Sequence, residues 1–304
     1  MARVASYGPG TAQRAGGQSR ATTRQARRIK GFIGRVALLL TLTAAGIVFV
    51  IPFVWMITTS LKKTGDEFQY PPVWWPHPIV WQNYADTWHL LPFATWFWNT
   101  LVIVALSMAG SVLTSSMAGY GFARLRFPGR GPLFTVCLAT LMLPSIVSLI
   151  PRFILFKELG WVGTNLPLWV PAWFGGSAFF IFLCRQFFLG IPYELDEAAR
   201  IDGAGSWRIY WQILLPLSKP VLAAMAIFAF QSGWNDFLEP LIYLPDRDTM
   251  TLAVGLRTML GLYQTNWNYL MAAATLMTVP IVVIFFLAQR YFIRGIVTSG
   301  LTGR

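Results

Sequence analysis

Apolar residues are gathered along this chain into long uncharged runs. Five of these runs are long enough to cross a bilayer as a helix, which takes about 20 residues; they cover residues 36–61, 87–123, 131–151, 160–184 and 258–289. A sixth run, 220–235, reaches that length only if Asp236 and Glu239 lie near its far end. The runs lack the period-two alternation of membrane strands. The pattern therefore predicts an all-α, polytopic protein with six transmembrane helices.

Composition agrees with this pattern. Of the 304 residues, 55% are hydrophobic and 12% are charged, whereas about a quarter of an ordinary soluble domain is charged. This excludes a typical water-soluble fold. Cys137 and Cys184 both fall inside predicted spans, so the sequence indicates neither a disulfide framework nor a metal cluster.

The net charge of +12 is distributed unevenly between the loops. Eight basic residues and no acidic residue precede the first span, and 18 of the 24 Lys and Arg residues lie at the ends or in every second loop. The positive-inside rule then places both termini in the cytoplasm, which requires an even number of spans. We predict a multi-pass protein of the cytoplasmic membrane.

The basic segment at the start is read most simply as a topology signal. Residues 1–31 are rich in Arg, Gly, Ser and Thr and too polar to form a core, so we predict a disordered cytoplasmic tail followed by a six-helix domain over 32–304. An arm that binds nucleic acid or anionic lipid, and a transit peptide, are the alternatives for the same residues. The sorting of the other basic residues by side argues against nucleic acid as a partner.

Tryptophans are concentrated between the first span and the first turns of the second. Such residues usually form an aromatic belt at the outer membrane interface, and a surface that stacks on sugars is the alternative. The set is Trp74, Trp75, Trp81, Trp88, Trp96 and Trp98.

The predicted cytoplasmic loop 190–220 is long and patterned. Acidic side chains stand where the first turns of a helix favour negative charge, at Glu194, Asp196 and Glu197. Gly203 and Gly205 are expected to end this helix, and Ser206 to cap a second one. The second helix is predicted to have one apolar face, formed by Trp207, Tyr210, Trp211 and Leu214.

This loop resembles the signature of the permease subunits of binding-protein-dependent ABC importers. That signature is EAA, three residues, G, nine residues, I, one residue, LP, and it is matched here by Glu197, Ala198, Ala199, Gly203, Ile213, Leu215 and Pro216. A chance match has a likelihood of about 10⁻⁸ per starting point at average residue usage. Residues 119–129, 234–241 and 271–303 also resemble the carbohydrate-uptake branch, in the subunit similar to the second, six-span permease of the maltose system.

The resemblance implies a permease that imports a sugar by alternating access. It implies that a coupling helix docks into the ATPase through Glu197, Ala198, Ala199, Asp202 and Gly203. It also implies the partners: a second permease subunit in a heterodimer, a cytoplasmic ABC ATPase dimer, an extracytoplasmic sugar-binding protein and membrane lipid. The chain has no G-x-x-x-x-G-K-[ST] loop, so ATP and Mg are expected on the ATPase, with no cofactor and no enzymatic activity in this chain.

Polar residues in the fifth span suggest a translocation path. They are costly in lipid and should face a cavity or other helices, and the residues concerned are Gln231, Ser232, Trp234, Asn235 and Asp236. Hydrogen bonds that only hold the bundle together are the alternative.

The sequence allows other solutes and another transport mechanism. The solute could be another small polar molecule such as a glycerol phosphate, and a secondary transporter could use Asp236 and Glu239 for ion coupling. An intramembrane hydrolase is disfavoured, because His77 and His89 are the only histidines and no H-E-x-x-H or G-x-S-x-G pattern occurs.

Overall fold

The computed structural model describes residues 12–261 and 266–300, and over these residues it is helical with no β-strand. The all-α prediction is confirmed. The chain divides after Met56 into two compact units. The helices are α1 Ala12–Ser60, α2 Gln82–Leu90, α3 Phe93–Arg124, α4 Arg130–Ala139, α5 Leu149–Glu158, α6 Leu166–Trp169, α7 Ala178–Leu189, α8 Glu194–Ile201, α9 Ser206–Ile209, α10 Leu215–Leu217, α11 Lys219–Trp234, α12 Leu238–Tyr243, α13 Leu252–Thr258 and α14 Trp267–Gly300.

The first unit consists of most of α1. This helix begins at Ala12, inside the segment for which the sequence predicted a tail. Residues 1–11 and the side chains of 12–30 lie outside the described part, so the predicted division at residue 31 stays a prediction. From Gly31 onward the helix is apolar and long enough to cross a membrane.

Four helical stretches are long and apolar enough to span a membrane: Gly31–Ser60, Phe93–Arg124, Leu166–Leu189 and Trp267–Leu287. Two bent pairs pass the same test, Arg130–Met142 with Ser145–Glu158 at 96° and Ser206–Leu217 with Lys219–Trp234 at 77°. The described residues thus hold up to six spans, the number predicted from the sequence.

The third predicted run is not one straight helix. Leu143 is extended, with φ −82° and ψ 118°, because a residue before proline is pushed out of the helical region by Pro144. The chain then resumes as α5. The bend between these two parts leaves Ser145 and Arg152 on the wall of a cavity.

Helix α3 lies at the centre of the second unit and packs against α7 and α11. Its contact with α7 requires a small residue, since a Cβ built on Gly119 would lie only 2.6 Å from Cβ of Cys184. Two buried apolar clusters surround α3. One contains Tyr120 and Tyr210, and the other contains Trp96 and Trp234.

Trp96 is fully buried in α3, so it is not one of the tryptophans that can form the predicted outer aromatic belt. Its indole Nε1 donates to the carbonyl of Arg247 at 2.9 Å. Nearby, the backbone N–H of Leu252 donates to Oγ1 of Thr100 at 2.8 Å. These bonds fasten the segment before α13 to the start of α3. The remaining tryptophans of the set that stay exposed are Trp74, Trp75, Trp81, Trp88 and Trp98.

Candidate functional site

The loop between α7 and α11 folds as two short helical arms. Helix α8 has Glu194, Asp196 and Glu197 in its first turn, as predicted. Gly203 follows with φ +79°, in the left-handed region that favours glycine. Gly205 rather than Ser206 is the N-cap of α9, and no side chain caps it. The predicted capping role of Ser206 is therefore wrong.

The second arm does not present one apolar face. Residues Tyr210–Leu214 form a π-helical turn, which spaces side chains differently from an α-helix because it has more residues per turn. Tyr210 and Leu214 are fully buried, whereas Trp207 and Trp211 are 60% and 40% exposed. The four residues predicted to share a face are divided between the core and the surface.

Hydrogen bonds connect this loop to α3. Oη of Tyr210 and Oγ of Ser116 lie 2.7 Å apart, both inside the bundle. Oη of Tyr120 donates to the carbonyl of Ser206 at 2.9 Å. The loop is thus attached to the last third of α3 by two tyrosine hydroxyls.

A buried ion pair adds a third connection. Arg124, in the last turn of α3, and Asp196, in α8, approach to 3.8 Å with their side chains 4% and 1% exposed. Nη2 of Arg124 also donates to the carbonyls of Phe188 at 2.7 Å and Ile191 at 2.6 Å. Burial raises the pKa of Asp196, and the positive charges of Arg124 and Arg200 oppose that rise. One guanidinium therefore joins α3, the end of α7 and α8.

The residues predicted to contact an ATPase differ in their exposure to solvent. Glu197, Ala198, Asp202 and Gly203 are exposed, whereas Ala199 is buried in the cluster around Tyr210. Sequence reasoning treated both alanines as surface. It also missed two exposed apolar neighbours, Ile201 at 86% and Trp207 at 60%, although an apolar residue in a polar loop is itself a signal for a contact surface.

The turn at Gly203 gives a prediction about backbone conformation. We expect Gly203→Ala to destabilise the purified protein by about 1 kcal/mol, since a Cβ disfavours the left-handed region. Gly205→Ala is the matched control, because Gly205 has φ −72° and ψ 163°. An added Cβ meets no atom within 4 Å at either glycine. Thermal unfolding should show a lower midpoint for the first variant only; equal midpoints would contradict the assignment.

A cavity of about 460 Å³ lies between α3, the bent α4–α5 pair, α7 and the α11–α12 segment. Its wall is rich in hydroxyl groups, contributed by Thr100, Ser107, Ser111, Ser145, Ser177, Ser232 and Thr251. Three ionisable residues complete the wall: Arg152, Asp236 and Glu239. Hydroxyls and carboxylates both accept hydrogen bonds, and the hydroxyls also donate them, so this surface suits a solute that carries many hydroxyl groups.

The structure brings together only part of the path predicted from the sequence. Ser232 and Asp236 line the cavity. Gln231 and Asn235 are exposed and do not line it, and Nδ2 of Asn235 donates to the carbonyl of Gln231 at 2.8 Å. Trp234 is fully buried, stacks on a neighbouring ring and donates to the carbonyl of Met277 at 3.0 Å. Its position fits packing better than solute contact.

Several lining residues were missed because they lie in other spans. The hydroxyls of α3 and the charge of Arg152 were visible in the sequence, but their convergence on α11 depends on how the helices pack.

Within the part of the chain that the structure describes, no group of three His, Cys, Asp or Glu residues could hold a metal ion.

A helical bundle with exposed apolar helix faces and a cavity lined by hydroxyl and charged groups has the architecture expected of a membrane transport protein. The chain belongs to the family described as binding-protein-dependent transport system inner membrane component, whose profile matches residues 110–298. This confirms the resemblance first seen in the loop. Members of the family are transport subunits and not enzymes, so this chain is the permease component of an ABC importer, and no cofactor is expected in it.

Individual relatives are named for the transport of different solutes. The chain is 37% identical over 255 residues to the sn-glycerol-3-phosphate transport system permease protein UgpE of Yersinia enterocolitica, covering 81% of this chain and 90% of that one. It is 42% identical over 209 residues to the arabinooligosaccharides transport system permease protein AraQ of Halalkalibacterium halodurans, covering 69% and 74%. A bacterial transporter that imports the acidic polysaccharide alginate has a chain of the same fold, with TM-score 0.76, 24% identity and coverage of 88% and 98%.

Proposed function

We propose that this permease imports a sugar, either a monosaccharide or an oligosaccharide. The observation that carries the proposal is the cavity wall, where seven hydroxyl side chains surround a space of about 460 Å³. A relative named for arabinooligosaccharide transport supports it. A relative named for glycerol-3-phosphate transport supports the chief alternative, a small phosphorylated solute.

The loop between α7 and α11 is proposed to face the cytoplasm and to dock on a separate ABC ATPase dimer. Its exposed surface supports this, because Glu197 offers a carboxylate and Ala198 allows close approach of another chain. The ion pair of Arg124 and Asp196 would hold α8 rigid while the ATPase moves it. Both termini would then lie in the cytoplasm, as the distribution of basic residues predicts.

The remaining partners complete an alternating-access cycle. A second permease subunit, most simply a different chain, closes the path from the other side. An extracytoplasmic sugar-binding protein delivers the solute, and ATP-driven closure of the ATPase dimer is passed through α8 to the spans. Lipid surrounds the exposed apolar faces of the helices.

Transport measurements test this function directly. The complete complex, reconstituted in proteoliposomes with its co-purified binding protein, should take up at least one labelled neutral sugar from a panel that includes lactose and arabinotriose, and only with ATP. Uptake driven by an ion gradient without ATP would favour a secondary transporter. ATP-driven uptake of sn-glycerol 3-phosphate alone would overturn the sugar assignment.

A further inference from the structure

The ionisable residues on the cavity wall do not balance one another. Within the lining that the structure describes, Arg152 is the only positive residue, and Asp236 and Glu239 are both negative. The guanidinium of Arg152 is bound to the carboxylate of Glu239, with the two side chains 35% and 29% exposed. The charge of Arg152 is therefore neutralised within the protein, and Asp236 leaves the cavity with one excess negative charge.

Two lining residues, Thr251 and Arg152, each have one buried polar atom without a hydrogen-bond partner. Thr251 is only 4% exposed, and its Oγ1 has no hydrogen-bond partner in the structure. The Nε of Arg152 is also buried without a partner. Buried polar groups are normally satisfied. Both atoms are inaccessible from the cavity in this structure, so a solute would meet the other polar groups of the wall, such as the exposed Ser232.

We infer that this cavity selects uncharged polyhydroxylated solutes over anionic ones, and that Asp236 and Glu239 are the residues that determine this selectivity. The inference rests on the proposed function and narrows its substrate class. A neutral sugar can donate its hydroxyls to the carboxylates. A phosphate or uronate has no such donor at its charged end and meets the excess negative charge of the wall, which repels it.

Family membership does not decide this question. One relative is named for a phosphorylated solute, and the alginate transporter carries an acidic polysaccharide. The inference therefore comes from the charges of this cavity alone. The inference also gives the Arg152–Glu239 pair a role, which is to keep the guanidinium of Arg152 occupied. An anion-binding site would need that guanidinium free to form paired hydrogen bonds with the anion.

Substitutions that preserve shape separate the effect of charge from that of packing. Glu239→Gln removes one negative charge and releases the guanidinium of Arg152. Asp236→Asn removes the excess charge directly. Glu158→Gln is the matched control, because it makes the same change on an exposed residue of α5 that does not line the cavity.

The test compares glucose with glucuronate, which share a ring and differ by one carboxylate. Equilibrium dialysis of the labelled sugars against the purified complex of both permease subunits and the ATPase, without the binding protein, measures sugar binding by the membrane part, and the variants report the contribution of this cavity. We expect the wild type to bind glucose at least tenfold more tightly than glucuronate. Glu239→Gln and Asp236→Asn should each reduce this ratio to about threefold or less, mainly by tightening glucuronate binding, while Glu158→Gln should leave it unchanged.

Three results would overturn the inference: equal binding of the two sugars by the wild type, no detectable binding of either, or a ratio that both cavity variants leave unchanged. The wild-type comparison stands even if one variant fails to assemble, which size-exclusion chromatography would reveal. Proteoliposome uptake separates the two proposals. ATP-driven sugar uptake without charge selectivity in the cavity would remove only this inference, whereas absence of ATP-driven uptake would remove the proposed function.

Discussion

Glu197→Lys is expected to abolish ATP-driven uptake while the protein still inserts in the membrane. Glu197 is exposed in the first turn of α8, where a helix favours negative charge, and we propose that it meets a basic group on the ATPase. A lysine at this position would bring like charges together, which costs several kcal/mol at an interface. Such a cost corresponds to a loss of about 100-fold or more in affinity between the two subunits.

Co-purification of the ATPase, and sugar uptake in proteoliposomes, measure this effect. Glu158→Lys makes the same charge reversal on an exposed residue of α5 and should keep both activities. Glu197→Gln should fall between the wild type and the lysine variant, because it removes the attraction without adding repulsion. Full uptake by Glu197→Lys would refute the docking role of α8.

Arg124→Met is expected to destabilise the permease by about 3–5 kcal/mol, the range found when one partner of a buried ion pair is removed. The substitution leaves the carboxylate of Asp196 buried without its positive neighbour. It also removes the donors to the carbonyls of Phe188 and Ile191. We therefore expect a lower thermal midpoint together with a loss of uptake.

The exposed neighbour Arg126 supplies the control, since Arg126→Met should change the midpoint little. The double variant Arg124→Met with Asp196→Leu tests the cause, because replacing both ions by apolar groups removes the unpaired charge. It should recover part of the stability and, if the pair also transmits motion from α8, should remain defective in uptake. An Arg124→Met variant as stable as the wild type would show that the ion pair contributes nothing to stability.

The parts of the fold that depend on local sequence were predicted well. Span positions follow from uncharged runs, and the start of α8 follows from Glu194, Asp196 and Glu197, because these signals act within one helix. The bend at Pro144 cannot be fixed from the sequence, since proline permits a kink without requiring one. The π-helical turn at Tyr210 left no periodic signal that distinguishes it from an α-helix.

The cavity could be predicted only in part, because it is a property of packing between helices. Ser232 and Asp236 stand out as polar residues within an apolar span. By contrast, Ser107 and Ser111 are small hydroxyl residues of a kind common in membrane helices, so nothing local identified them as part of a shared wall. The place of Trp234 in the path stays a prediction, since a tryptophan near polar residues packs inward as readily as it lines a path.

Helix α3 has a consequence for how the two sites influence each other. Ser111 lines the cavity, and Ser116, five residues later in the same helix, bonds to Tyr210 of the loop. These two positions are only about 7.5 Å apart along the axis at a rise of 1.5 Å per residue, and no hinge separates them. If the loop docks on an ATPase as proposed, a solute that displaces this part of α3 would also tilt the docking surface. Solute binding and ATP hydrolysis would then be coupled through one continuous helix.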